Sequence, residues 1–147
     1  MTDTADVAVE KALLDYLSQI ALSPAVPIAM PYRRFSTPNA VAGAKWLRAS
    51  YLPATKIALG VDDNSANQIS GIFQVDALYY IDDDGELPLA RFAQSVMNWF
   101  ARGTKITIDN QEVHIWHTPY RGRAMKDDPW LFIPVSIPFI AFSTNPA

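Results

Sequence analysis

The chain has 147 residues, half of them hydrophobic and 18% charged, with a formal charge of −3 and no cysteine. That length supports a single domain, 1–147, able to bury its own core, and that composition excludes a disordered chain. The acidic balance argues against a dedicated nucleic-acid binder, and the lack of cysteine rules out disulfides and thiolate metal sites. The N-terminal MTDTADVAVEK does not have the basic-then-apolar order of a secretory signal. No run approaches the roughly 18 apolar residues of a membrane-spanning helix. The expectation is a soluble protein made in a cytoplasm, with no membrane partner.

Asp3 or Thr4 can cap a first helix, with Asp6 and Glu10 near the positive end of its dipole. Val9, Leu13, Tyr16, Leu17 and Ile20 follow helical spacing and form one apolar stripe, and Ser23-Pro24 ends the helix. Pro24, Pro27, Pro31 and Pro38 limit the next stretch to a short extended piece at most. Arg33–Ala44 reads as loop. Lys45–Leu52 alternates Trp46, Arg48 and Ser50 with Leu47, Ala49 and Tyr51, a strand ended by Pro53. Ala54–Gln68 reads as a long loop or extended arm with Asp62, Asp63, Asn64, Ser65 and Asn67 near its tip, and loops of that length are often functional.

Ile69–Tyr80 (ISGIFQVDALYY) is the longest two-faced segment. Alternate side chains of a strand point to opposite faces, so Ile69, Phe73, Val75 and Ala77 define a core face, and Ser70, Ile72, Gln74, Asp76, Leu78 and Tyr80 a half-polar one. A strand this long is expected at the centre of a sheet. Asp82-Asp83-Asp84-Gly85 reads as a solvated turn. Three adjacent carboxylates invite a cation, but the alternating ligands and later Glu of a calcium loop are absent. A second helix follows from Glu86 or Leu87, with Pro88 in its first turn and Leu89, Phe92, Ala93, Val96, Met97 and Phe100 as its apolar stripe. Gly103 is its expected stop.

Thr104–Ile108 and Glu112–His117 read as a hairpin turning at Asp109-Asn110-Gln111. Thr118–Pro129 is a polar loop bearing Arg121, Arg123 and Lys126. In Trp130–Phe142 (WLFIPVSIPFIAF) the odd positions are wholly apolar, and the even ones include Pro134 and Pro138. Two prolines of equal parity remove donors from the same edge, which predicts a strand paired on one side only. Its even face still carries Trp130, Phe132, Ile140 and Phe142. That face is either a subunit interface or is covered by the chain's own loop or N-terminal segment.

The elements add up to an α+β domain with a mixed, largely antiparallel sheet. Catalytic constellations are missing from the pattern. His114 and His117, three apart on a predicted strand, point to opposite faces and cannot jointly hold one metal. Neither common nucleotide-binding glycine motif occurs, so a small hydrolase or nucleotide-binding domain is the weakest of the readings.

The order of several short motifs is informative. YLP at Tyr51–Pro53 precedes a loop with Gly60, followed by GIFQVD at Gly71–Asp76, FARGT at Phe100–Thr104 and PVSIPF at Pro134–Phe139. This arrangement, from about Pro27 to the end of the chain, resembles the tail terminator (tail-completion) proteins of long-tailed bacteriophages. The resemblance implies a mixed sheet carrying two helices on one face, and a structural virion protein, not an enzyme, with no catalytic residue, cofactor or metal. It further implies a homo-oligomeric ring, commonly a hexamer, at the head-proximal end of the tail, assembled in the host cytoplasm. Such a ring caps the tail tube, stops its polymerisation and offers a docking surface to the head–tail connector, with DNA passing through it and no sequence-specific nucleic-acid contact. A head–tail joining, neck or minor tail protein of similar fold is the alternative. The residues expected at subunit interfaces are Ile72, Leu78, Trp130, Phe132, Ile140, Arg121 and Arg123.

Overall fold

The computed structural model describes residues 3–22, 25–62, 65–81 and 85–143. In chain order the elements are α1 (Ala5–Ser18), β1 (Ile28–Ala29), β2 (Lys45–Pro53), β3 (Ile57–Ala58), β4 (Asn67–Tyr80), α2 (Leu87–Trp99), β5 (Lys105–Ile108), β6 (Gln111–His114), β7 (Tyr120–Arg121), β8 (Met125–Asp127) and β9 (Trp130–Ser143). One mixed sheet runs in the order β1-β2-β4-β9-β6-β5, with β3 on β4 and both β7 and β8 on β9. The β1–β2 pair is parallel and every other pair is antiparallel.

The spine is the β4–β9 ladder, unbroken from Asn67↔Ser143 to Tyr80↔Trp130. β4 is central, as its length predicts, with β2 on its other side. Cross-strand partners share a face, so the odd residues of both long strands lie together. Both helices cover that face: α1 lies against β5 and β6, and α2 against β4 and β9. The main core joins Val9, Leu13 and Leu17 of α1 and Leu89, Phe92 and Val96 of α2 to the odd-numbered residues of β4 and β9. The helices are tied to each other where Tyr16 stacks on Trp99 at 4.9 Å. The Tyr16 hydroxyl donates to the Trp99 carbonyl (3.1 Å) and Trp99 Nε1 donates to the Tyr16 carbonyl (2.9 Å).

Three expectations about strands need correction. First, β9 is not an edge strand. Its far side is paired too, in three short pieces: β8 on Trp130–Phe132, β7 on Val135 and Ser136, and β6 on Ile140 and Ala141. The prolines explain the fragmentation. The Pro134 carbonyl accepts from the Gly122 N–H, so even-numbered residues direct their backbone groups to this side, where each proline lacks a donor. Pro134 and Pro138 fall in the two gaps between the pieces. Secondly, Thr118–Pro129 contains β7 and β8, strands too short and polar to show a period of their own. Thirdly, β4 starts two residues earlier than expected, and of the two readings of Ala54–Gln68 the extended arm holds in part, since β3 pairs with Asn67 and Gln68.

The helix ends and the hairpin follow their local chemistry. Thr4 occupies the cap position of α1 without a side-chain cap bond, and α1 ends at Ser18, before the expected stop at Ser23-Pro24, which lies outside the described residues. In α2, Pro88 sits in the first turn. Gly103, at φ +96°, donates to the Ile115 carbonyl beyond the helix end. Asp109 and Asn110 take positive φ angles of 50° and 64°, the two-residue turn that matches strand twist, and Ile106 faces Val113 across it.

Where β2 passes into β3 the register with β4 slips by one residue, from Pro53↔Gly71 to Ile57↔Gln68. Three residues of one strand oppose two of the other, a bulge. Gly71 makes room for it: a Cβ there would meet the Leu52 carbonyl oxygen and lie 2.9 Å from Pro53 Cα. Gly71→Ala is expected to cost about 2 kcal/mol or more, read by urea denaturation. A second expectation concerns Tyr51, which stacks on Phe139 at 5.4 Å and whose buried hydroxyl has no hydrogen-bond partner among the described residues. Burial, aided by the negative charges of Asp6 and Glu10, raises its pKa above the usual 10. The unfolded chain therefore loses this proton first, and stability falls as pH rises past 10. Tyr51→Phe should gain up to about 1 kcal/mol at neutral pH and lessen that alkaline decline.

Candidate subunit interface

The even-numbered face of the β4–β9 ladder carries no helix. β2 extends it with Trp46, Arg48, Ser50 and Leu52, opposite Leu78, Asp76, Gln74 and Ile72. This face has three zones: one covered, one ionic and one open.

In the covered zone, Trp46, Leu78 and Trp130 form a second buried cluster, with Phe35 and Phe132 packed against it. Phe35, from the loop between β1 and β2, stacks on Trp46 at 5.0 Å, and Trp130 meets Trp46 edge-on at 6.0 Å. Leu78 is 0% and Trp130 5% exposed. These two expected interface residues are corrected: the chain's own loop takes them up, and they present no surface. Phe132 is half-buried beneath Arg48, whose guanidinium carbon lies 5.3 Å from its ring centre.

The ionic zone centres on Asp76, the one charged side chain buried among the described residues. Arg48 faces it across the ladder and donates to Oδ2 from Nε at 3.0 Å and from Nη2 at 2.9 Å. Gln74 Nε2 donates to Oδ1 at 3.0 Å, so both carboxylate oxygens are satisfied. Arg48 Nη1 reaches Asp127 of β8 at 3.6 Å, and Arg48 also lies 5.8 Å from the Trp46 ring centre.

In the open zone, Leu52, Ile72 and Pro138 form one row across the face, and Ile57, Gln68 and Phe142 another. The bulge is what turns Ile57 to this side. Leu59 N donates to the Ala66 carbonyl, which continues the shifted register, so Leu59 lies on the same side. Leu52, Ile57, Leu59 and Phe142 are about half exposed and Val61 fully so. Ile72 and Ile140, two of the expected interface residues, are half-buried within this zone. The exposed side chains of this zone surround Ile72 and Ile140, and Pro138 is buried among them.

Beyond β9 lies a separate patch. Trp116, His117 and Tyr120 form an exposed edge-to-face series, with ring centres 5.7 and 6.2 Å apart. His117 Nδ1 must be the protonated nitrogen, since it lies 2.8 Å from the Thr118 carbonyl, which can only accept. Arg121 sits in β7 and Arg123 follows it. Both are exposed, and neither has an ion-pair partner among the described residues. His114 ends β6 and contacts Glu112 Oε1 at 2.8 Å. His117 lies past the strand, so the two histidines are not on opposite faces of one strand as expected. Sequence reading missed Leu59, Val61, Trp116 and Tyr120. The alternation Ile57, Leu59, Val61 was the available signal for the arm, whereas nothing local marks Trp116 as exposed.

Elsewhere, an open cleft of about 510 Å³ runs beside α1, lined by Val7, Leu14, Met30, Arg33 and others. Lys11 at its rim is engaged by Asp109 at 3.1 Å and Asp3 at 3.6 Å. Among the described residues no three His, Asp or Glu side chains converge as a metal site, and no helix is long and apolar enough to cross a membrane. The Asp82–Asp84 turn lies outside the described residues.

The family model for phage tail terminator proteins matches residues 8–139. The chain belongs to the phage tail terminator family. This terminator is therefore a structural component of a phage tail, as the motif order implies. A solved structure with 25% sequence identity matches it over 97% of this chain and 95% of the other, with a TM-score of 0.67. No protein of curated function matches the terminator at a significant level.

The ionic zone holds β2 to β4 and β8. Asp76→Ala leaves Arg48 with only its 3.6 Å contact to Asp127 and should cost about 2 kcal/mol. An Arg48→Met/Asp76→Leu pair should recover part of that loss. Equilibrium unfolding of the three proteins decides it.

Proposed function

We propose that the terminator forms a closed ring, of six copies, that caps the finished tail tube, stops further polymerisation and presents the docking surface for the head–tail connector at the head-proximal end of the tail. The observation that carries this reading beyond family membership is the open zone. A lone domain gains nothing from holding Leu52, Ile57, Leu59, Val61 and Phe142 in water, at a cost of about 25 cal/mol for each Å² of apolar surface. Burying that surface against a neighbour recovers the cost. A ring needs contacts between two different surfaces of the same chain, repeated until rotation closes it, and the molecule carries two such surfaces on either side of the β4–β9 ladder. A formal charge of −3 suits a passage through which DNA slides without sticking. Assembly takes place in the host cytoplasm, before the tail meets the head.

Phages lacking this gene should make overlong or unterminated tails, visible by electron microscopy. Normal-length tails detached from full heads would instead identify a head–tail joining protein and overturn the terminating role. Ile72→Asp, which places a charge in the open zone, should leave the isolated fold intact and reduce ring formation by at least about tenfold, read as oligomeric mass.

A further inference from the structure

The arm end and the aromatic patch answer each other chemically. The arm carries Ile57, Leu59 and Val61 in alternation, then Asp62, whose carboxylate has no ion-pair partner among the described residues. The patch carries Trp116, His117 and Tyr120 with Arg121 and Arg123 beside them. Trp, Tyr and Arg are the residues that dominate interface energetics. The unpaired charges are of opposite sign. The two surfaces cannot meet within one chain. β3 is fixed to β4 at Asn67 and Gln68, while β7 is fixed to the far side of β9 at Val135 and Ser136. Crossing from the β3 side to the β7 side takes three strand spacings of about 4.8 Å, or roughly 14 Å, before any offset along the strands.

We infer that the 57–62 arm of one copy docks on the Trp116–Arg123 patch of the next copy, with Leu59 and Val61 against the aromatic series and Asp62 facing Arg121 and Arg123. The contact joins opposite sides of the molecule, so each copy keeps a free arm and a free patch until the ring closes. This pairing rests on the ring reading and names the surfaces that make it.

The chain has no cysteine, so introduced ones report cleanly. Val61→Cys and Tyr120→Cys, prepared separately, mixed and oxidised, should give a covalent dimer of one copy of each. The double variant should give a ladder of linked chains that stops at the ring size. Native mass spectrometry of the same samples, free at millimolar concentration and on isolated tail tubes, reports whether a ring is present. A ring without the Val61→Cys to Tyr120→Cys link overturns the pairing and leaves the ring standing. Links only between two Val61→Cys chains point to a two-fold contact and also overturn it. A protein that is monomeric in both settings overturns the pairing and the ring together. As a check on charge, Asp62→Arg should weaken self-association about tenfold, and adding Arg121→Asp with Arg123→Asp should restore it to within about threefold. An unchanged association for Asp62→Arg contradicts the assigned contact. So does a patch variant that loses binding to double-stranded DNA while its self-association is unaffected, which would assign the patch to nucleic acid.

Discussion

The fourteen-residue antiparallel ladder between β4 and β9 is the constraint from which the other features follow. Because the partners share faces, one alignment decides the fate of every residue in both strands. A shift by one residue would set odd residues of β4 against even residues of β9, and would send either Phe73 and Val75 or Ile133 and Ile137 to the helix-free side. The prolines protect this register in a directional way. Their missing donors face away from β4, so the ladder is complete on one side and broken into three pieces on the other. The segment between β6 and β7, which carries the exposed Trp116 and His117 to Tyr120 at the start of β7, leaves the sheet at the gap that holds Pro138.

From the ladder come two faces with different duties. The odd face is sealed by α1 and α2 and supplies the main core. The even face is graded along its length. At one end Phe35 covers the Trp46, Leu78 and Trp130 cluster. In the middle the half-buried Arg48 neutralises the buried Asp76, whose charge alone would be costly there. At the other end the surface opens into exposed apolar side chains. The single-residue bulge beside Gly71 sets that gradient, because it turns Ile57 and Leu59 onto the open end and not toward the helices. The exposed apolar end and the core thus lie on opposite sides of the same two strands.

Much of this was legible in the chain because it rests on local periodicity. The helices, the central strand, the β2 faces and the Asp109-Asn110 hairpin each carry their pattern within a dozen residues. The motif order pointed to the family without any structure. What escaped the sequence has no local signature. β7 and β8 have two and three residues, and their pairing depends on a strand already in place. The two prolines correctly indicated a side of β9 with missing donors, but a broken edge and an empty edge look alike in sequence. Leu78 and Trp130 were expected at an interface because alternation shows which face a residue is on, and cannot show that Phe35, more than forty residues from Leu78, folds back over it.

The helix face closes the domain, and in the proposed ring the open end of the other face, with its arm, joins the copies. Hydrogen exchange resolved along the sequence, compared between free chain and assembled tails, tests this most directly. New protection is expected at 52–62, at the start of β4 and at 114–123, with α1 and α2 unchanged. Protection gained on the outer surfaces of α1 and α2, with the arm exchanging as freely as before, would contradict it.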